Sequence, residues 1–283
     1  HVTAFDNLSA STEDNIKHLR DKKNFKFING DVNDSISSRL GGAIANKDYI
    51  FHLAASNVGN SIVSPMVDMN TNIWGVYNIL ANIKNVNKNV RLIHASSGSV
   101  ANPSTPYAIS KSAGEKYVDF FTKKWGLDTT TVRYYHVFGP RQDMNGKCGV
   151  VNIFLSRVLR DKAPIIWGDG EQIKCFTFVE DSVAATLMVA EDNNSVGKIY
   201  DIASDERISI RELALIISSE YSPVDKLSPM YDKPKIGENI ELFPDTSSIK
   251  ELGWLANNTF MSGLSASRRW VADNIKQNKK EVV

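Results

Sequence analysis

The sequence is poor in cysteine. Only Cys148 and Cys175 occur in 283 residues. Two thiols are too few for a disulfide framework and predict a chain of the reducing cytoplasm. A charge bias is missing too: 33 basic side chains face 32 acidic ones, so bulk charge points to no nucleic acid or other polyanion as partner. No apolar run approaches the roughly 18 residues that a membrane span requires. No secretory leader is visible, and the first residue is His rather than Met, which predicts that the natural chain starts earlier. The five histidines show no ligand spacing with cysteine or carboxylate, so no metal site is expected. The rest, 42% hydrophobic and 23% charged, is ordinary for a globular protein. It is long enough to bury a full core as one large domain or two modest ones.

Against these absences stands one dense stretch. Arg91-Leu-Ile-His-Ala-Ser reads as a strand ending in the hydroxyl cluster Ser96-Ser97-Gly98-Ser99, and Tyr107-Ala-Ile-Ser-Lys111 then opens a helical segment. Side chains four apart share a helical face. An ammonium beside a phenol stabilises the phenolate and lowers its pKa from about 10 toward the range of a general base. A nearby serine can relay the proton. The set suits removal of a proton from an alcohol while hydride leaves the carbon. The spacing alone is weak: Tyr231-Asp-Lys-Pro-Lys235 repeats it, with a proline that disfavours a continuous helix. Tyr107 as a half-buried helix-start residue, with Lys111 on a solvated face, is the competing reading.

The first half alternates short apolar runs (1–6, 25–30, 49–55, 90–95, 129–135) with helix candidates near 12–20, 34–41, 67–86 and 107–125. This pattern predicts an α/β fold, a doubly wound parallel Rossmann sheet covered on both faces. Ligands bind at the carboxyl ends of such strands, where Asp6, Asp31, Ala54 and Ser97 fall. His52 and His94 lie within strand-like runs and read as packed core. An acid at the end of a second strand, the expected place of Asp6, bonds adenosine ribose hydroxyls and repels the extra phosphate of NADP; alone, Asp6 could equally cap a turn with Asn7. Beyond residue 136 the texture changes, with turns at Gly139-Pro140 and Gly168-Asp-Gly170 and helices expected over 149–161, 180–192, 208–219 and 261–277. Four prolines between Tyr221 and Pro244 predict irregular chain. A smaller, irregular α/β domain is expected here.

These residues, with Phe5-Asp-Asn-Leu-Ser9, Gly30-Asp-Val32, Phe51-His-Leu-Ala-Ala55, Asn72-Ile-Trp-Gly75, Arg133-Tyr-Tyr-His-Val-Phe-Gly-Pro-Arg141, Gly168-Asp-Gly-Glu-Gln172, Phe176-Thr-Phe-Val-Glu-Asp181 and Leu252-Gly-Trp254, resemble the extended short-chain dehydrogenase/reductase superfamily. The pattern is most similar to its nucleotide-sugar epimerases of the UDP-glucose 4-epimerase type. The resemblance implies an NAD-binding Rossmann domain over 1–135, with 176–203 packing back on it, and a nucleotide-sugar domain over 136–283. It implies Ser97, Tyr107 and Lys111 as catalytic residues. Asp6, Asn7, Asp31, Val32, Leu53, Ala54, Ala55, Asn72, Ser96, Tyr107, Lys111, Tyr134 and Val137 would surround tightly held NAD. Ser99, His136, Val150, Trp167, Lys174, Lys235 and Glu238 would contact a nucleotide-diphosphate sugar, of the UDP-sugar type. Trp167 could equally be a core aromatic, and the two lysines solvated charge.

The chain departs from that pattern in four ways. The family's first strand and G-x-x-G-x-x-G phosphate turn do not occur, which predicts an omitted N-terminal segment. The short stretch from Val100 to Tyr107 predicts chain missing between Ala101 and Asn102. Lys174 and Lys235 stand for arginines, which keeps charge but loses the bidentate fork. His136 and Cys175 stand for asparagine and aspartate. The implied activity is inversion at C4 of the sugar by transient hydride transfer to NAD. Related dehydratases and decarboxylases carry an acid after the serine pair, where Gly98-Ser99 stand. A reductase or dehydratase of the same superfamily, or a non-catalytic nucleotide-binding scaffold, is the alternative. Apolar residues on several faces of 67–86 and 107–125 imply, by the resemblance, a homodimer.

Overall fold

The computed structural model describes residues 1–34, 38–56, 58–145, 149–222, 227–234 and 242–280. The first half runs β1 (Val2–Asp6), β2 (Phe25–Asn29), α1 (Ser38–Ile44), β3 (Tyr49–His52), α2 (Val58–Val63) and α3 (Pro65–Asp68). A π-helix (Met69–Trp74), α4 (Gly75–Val86), β4 (Arg91–Ser97), α5 (Pro106–Trp125) and β5 (Thr129–Tyr134) follow. The second half adds β6 (Val137–Phe138), α6 (Val150–Val158), β7 (Ile165–Trp167), β8 (Ile173–Cys175), β9 (Thr177–Phe178) and α7 (Val179–Glu191). It ends with β10 (Ile199–Ile202), β11 (Arg207–Ser209), α8 (Ile210–Tyr221), β12 (Met230–Asp232), α9 (Ser247–Glu251) and α10 (Phe260–Lys280).

The core is the expected Rossmann-like parallel sheet with flanking helices, followed by a smaller α/β region. One sheet has the order β10-β5-β4-β3, with β3 and β4 parallel from Tyr49↔Arg91 to His52↔His94. The strands β1 and β2 form a separate parallel pair, from Val2↔Phe25 to Asp6↔Asn29. Among the described residues no strand pairs with both β1 and β3.

Three local expectations are corrected. The stretch near 12–20 is a 3-10 helix, Glu13–Leu19, with no buried residue; without a buried face, packing does little to stabilise an α-helix there. The helix expected at 34–41 is found at Ser38–Ile44. The proline-rich stretch after Tyr221 contains β12, parallel to β7. Its flanking Pro229 and Pro234 confine it to three residues.

The chain divides into two compact units. One comprises His1–Ser96, Asn102–Val132 and Val189–Ile199; the other comprises Ser97–Ala101, Arg133–Met188 and Tyr200–Val283. The first is built on Leu40, Ile44, Val76, Ile79, Leu80, Ile83, Leu92, Val118 and Phe121. The second is built on Phe138, Phe154, Leu155, Ile166, Phe178, Leu213, Ile217, Phe260 and Leu264.

Helix α5 has clear local causes. Thr105 caps it by accepting from the Ala108 N–H at 3.2 Å, and Pro106 occupies its first turn. Gly126, at φ 65°, ends it in the left-handed conformation, with Lys123 and Lys124 in the last turn. Its close approach to the π-helix depends on Gly114, where a Cβ would sit 2.8 Å from the Asn72 carbonyl oxygen. Gly114→Ala should gain up to about 1 kcal/mol of helix propensity but lose about 1–3 kcal/mol to overpacking against backbone. We expect the melting temperature to fall by about 2–6 °C. An unchanged or raised value in a thermal unfolding scan would show that the approach is not tight.

Candidate active site

In the first unit, one carboxylate stands at the end of β1 and another just beyond the end of β2. Asp6 Oδ1 accepts from the Leu8 N–H at 2.7 Å, so it does close a turn. Asn7 Nδ2 donates to Asp31 Oδ2 at 2.7 Å, and Asp31 Oδ1 accepts from the Asn33 N–H at 2.8 Å. Asn78 Nδ2, from α4, donates to the Val32 and Asp34 carbonyls, both at 2.7 Å, and fixes the loop after β2. Asp6 and Asn7 are exposed and Asp31 half-buried. After β3, Leu53 and Ala55 are exposed and Ala54 half-buried. Asn72 is fully buried in the π-helix, where its Oδ1 accepts from the Ser56 N–H at 3.1 Å.

Tyr107, half-buried, lies in the first turn of α5, and Lys111 follows one turn later. Lys111 is only 2% exposed, and its Nζ donates to the Ala95 carbonyl of β4 at 2.8 Å. The solvated-lysine reading is thereby excluded. Burial lowers its pKa from 10.5 to about 8, while Glu115 and Asp68 pull the other way. His52 and His94 stand opposite each other in the register of β3 and β4, with ring centroids 5.5 Å apart. Burial, then the Lys111 charge, lowers His52 to about 3 and His94 well below its ordinary value, so both imidazoles are neutral near pH 7. Asp68 is fully buried. Burial raises its carboxyl pKa, opposed by the Ser56 and Ser61 hydroxyls and by Lys111. Ser96, at the end of β4, has a buried Oγ with no hydrogen-bond partner among the described residues.

The second unit holds the other serines. Ser97 Oγ and Ser99 Oγ lie 3.0 Å apart. Tyr134 Oη pairs with Thr186 Oγ1 at 2.7 Å, and burial raises its pKa. Val137 is half-buried in β6. His136 has a left-handed φ of 40° and sets its ring 6.0 Å from that of Phe176. Burial, then Lys174, lowers its pKa to about 3. Lys174 is buried in β8, Trp167 ends β7 with its ring partly exposed, and Val150 opens α6. Lys235 and Glu238 lie outside the described residues.

A sequence profile for the NAD dependent epimerase/dehydratase family matches residues 1–203. The chain belongs to this family. A putative UDP-glucose 4-epimerase of Methanocaldococcus jannaschii is 31% identical, covering 96% of this chain and 91% of that protein. The dTDP-glucose 4,6-dehydratase of Escherichia coli is 26% identical, covering 94% and 83%. The crystal structure of a Thermotoga maritima UDP-glucose 4-epimerase with UDP-glucose is 29% identical, with a TM-score of 0.86 and coverage of 97% and 91%. Relatives of this epimerase/dehydratase chain thus include both reaction types on nucleotide sugars.

The donor set fits a dinucleotide. An exposed and a half-buried carboxylate at parallel strand ends suit ribose hydroxyls. The buried ammonium of Lys111 and the buried, unsatisfied Ser96 Oγ are polar groups that a ligand hydroxyl would satisfy. Sequence reading missed Asp68, Ser56 and Ser110. Asp68 and Ser110 offered a signal only through their spacing, four residues before Asn72 and one before Lys111. No described cluster of His, Cys, Asp or Glu could hold a metal ion.

Because Lys111 titrates lower in the folded chain than in the unfolded one, the unfolded chain binds more protons between pH 8 and 10.5, and this group adds stability as pH rises through that window. In cofactor-free protein, Lys111→Met should therefore melt higher than the parent at pH 7, with the gap closing by pH 10. A gap independent of pH, read by melting curves, would contradict burial of the cation.

Proposed function

We propose that the chain inverts C4 of a nucleotide-diphosphate sugar, of the UDP-glucose/UDP-galactose type, with tightly held NAD. The first unit would hold NAD: Asp6, Asn7, Asp31 and Val32 at the adenosine ribose and adenine, Leu53, Ala54, Ala55, Asn72 and Ser96 along its length, and Lys111 at the nicotinamide ribose. Tyr134 and Val137, from the second unit, are further proposed contacts. When bound, NAD supplies hydride acceptance and return at C4. Tyr107 Oη, as phenolate, would take the proton of the sugar 4-hydroxyl and later give it back; since the hydride would return as well, no net redox change would result. Lys111 favours the phenolate by its charge, and Ser97 Oγ relays the proton. Ser99, His136, Val150, Trp167, Lys174, Lys235 and Glu238 are the proposed sugar-nucleotide contacts.

The supporting observation is the buried Lys111 ammonium, fixed to Ala95 one turn after Tyr107. A charge sequestered from water at a cost of several kcal/mol calls for a function, which disfavours a mere scaffold. The chemistry around Gly98 favours epimerisation over dehydration. A Cβ at Gly98 would meet the Tyr135 ring at 2.2 Å, and Tyr135 Oη is held by Asp201 at 2.7 Å. A carboxylate after Ser97 would need that ring to move.

The aromatic residues Trp74, Tyr77, Tyr117, Phe120, Phe121 and Trp125 form a chain of ring contacts 4.3–6.2 Å apart on the π-helix, α4 and α5. Phe120 is 50% exposed and Trp74 42%. This supports a homodimer through 67–86 and 107–125. No described helix is long and apolar enough to cross a membrane, and the scarcity of cysteine supports a cytoplasmic place.

Incubation with UDP-glucose, UDP-galactose and their N-acetylated forms, followed by sugar analysis, tests the reading. Tyr107→Phe should slow interconversion by about 10²-fold or more while nucleotide binding stays measurable. Unchanged turnover would refute the assignment.

A further inference from the structure

Asn72 and Ser110 form a link whose purpose burial alone does not explain. Asn72 spends its amide within the first unit: Oδ1 accepts from the Ser56 N–H at 3.1 Å, and Nδ2 donates to Ser110 Oγ at 3.0 Å. Ser110 Oγ in turn donates to the Tyr107 carbonyl at 2.9 Å. A serine hydroxyl has one donor and two acceptor sites, and this one uses a donor and an acceptor site on two different elements. The loop after β3 is thereby joined through the π-helix to the turn of α5 that carries the phenol. Both side chains are buried, at 0% and 2% exposure, and Gly114 lets the two helices approach closely enough for the amide to reach. π-Turns inside helices occur often at functional sites.

We infer that Asn72 and Ser110 are positioning residues, a tether that fixes the Tyr107 backbone against the loop after β3 and so sets where the phenolic oxygen meets the substrate. This rests on the proposed role of Tyr107. The tether touches no reacting atom. It acts on the carbonyl of Tyr107, in the first turn of α5. Residues that only hold geometry affect the rate of the bound complex more than its formation, since an ångström of misplacement costs up to about 10²-fold.

The test compares Ser110→Ala, Ser110→Thr, Asn72→Ala and the double variant Asn72→Ala/Ser110→Ala in the full chain, beside Tyr107→Phe. Ser110→Ala should lower kcat about tenfold with KM and bound NAD within about twofold. Ser110→Thr, whose hydroxyl can reach the same carbonyl, should restore the rate. The double variant should be no slower than Asn72→Ala alone, as expected for groups acting as one unit. Normal kcat in Ser110→Ala beside an inactive Tyr107→Phe overturns the tether and leaves the base assignment standing. An active Tyr107→Phe removes the base assignment instead. The tether is then read from hydrogen exchange of the amides of 107–111, which Ser110→Ala should speed several-fold; unchanged exchange overturns it.

Discussion

The bond from Lys111 Nζ to the Ala95 carbonyl holds a cation where water does not reach. Much of the first unit is arranged to tolerate it. Glu115 and Asp68 supply opposing charge, the neighbouring imidazoles stay neutral, and small residues on α5 let that helix lie against the π-helix. A buried ammonium without such surroundings would lose its proton. With them it titrates at about 8, so it is mostly charged at neutral pH.

Parts of this arrangement were legible in the sequence and parts were not. The Tyr107–Lys111 spacing fixes both residues on one helix, and Thr105, Pro106 and Gly126 mark that helix's ends by their side-chain chemistry alone. The alternation of apolar runs gives the parallel β3–β4 pair. Where Lys111 ends up is different. Its partner is a backbone carbonyl, which has no sequence signature, and its burial depends on how closely two helices approach. The same holds for Asn72. Its amide is engaged with Ser56 and Ser110 in the interior, partners that its motif does not announce. The 3-10 helix at Glu13–Leu19 and the strand Met230–Asp232 escaped for a related reason: packing, or its lack, overrides weak local preference.

The second unit shows a different economy of space. Tyr135 is locked to Asp201, and Asp201 also accepts from the Asp245 N–H at 3.0 Å. The ring in turn fills the volume that a side chain at position 98 would need. His136 follows directly in a backbone conformation that non-glycine residues seldom adopt. A packing constraint thus limits which side chain position 98, inside the serine cluster, can carry.

The facing imidazoles of β3 and β4 carry one more consequence. Unfolded, each would take up a proton below about pH 6.5; folded, His52 resists until about 3, and His94 is held well below its ordinary value. Acidification therefore draws the equilibrium toward the open chain across that whole interval. Acid therefore loads the strand pair itself, through two rings that the fold keeps uncharged.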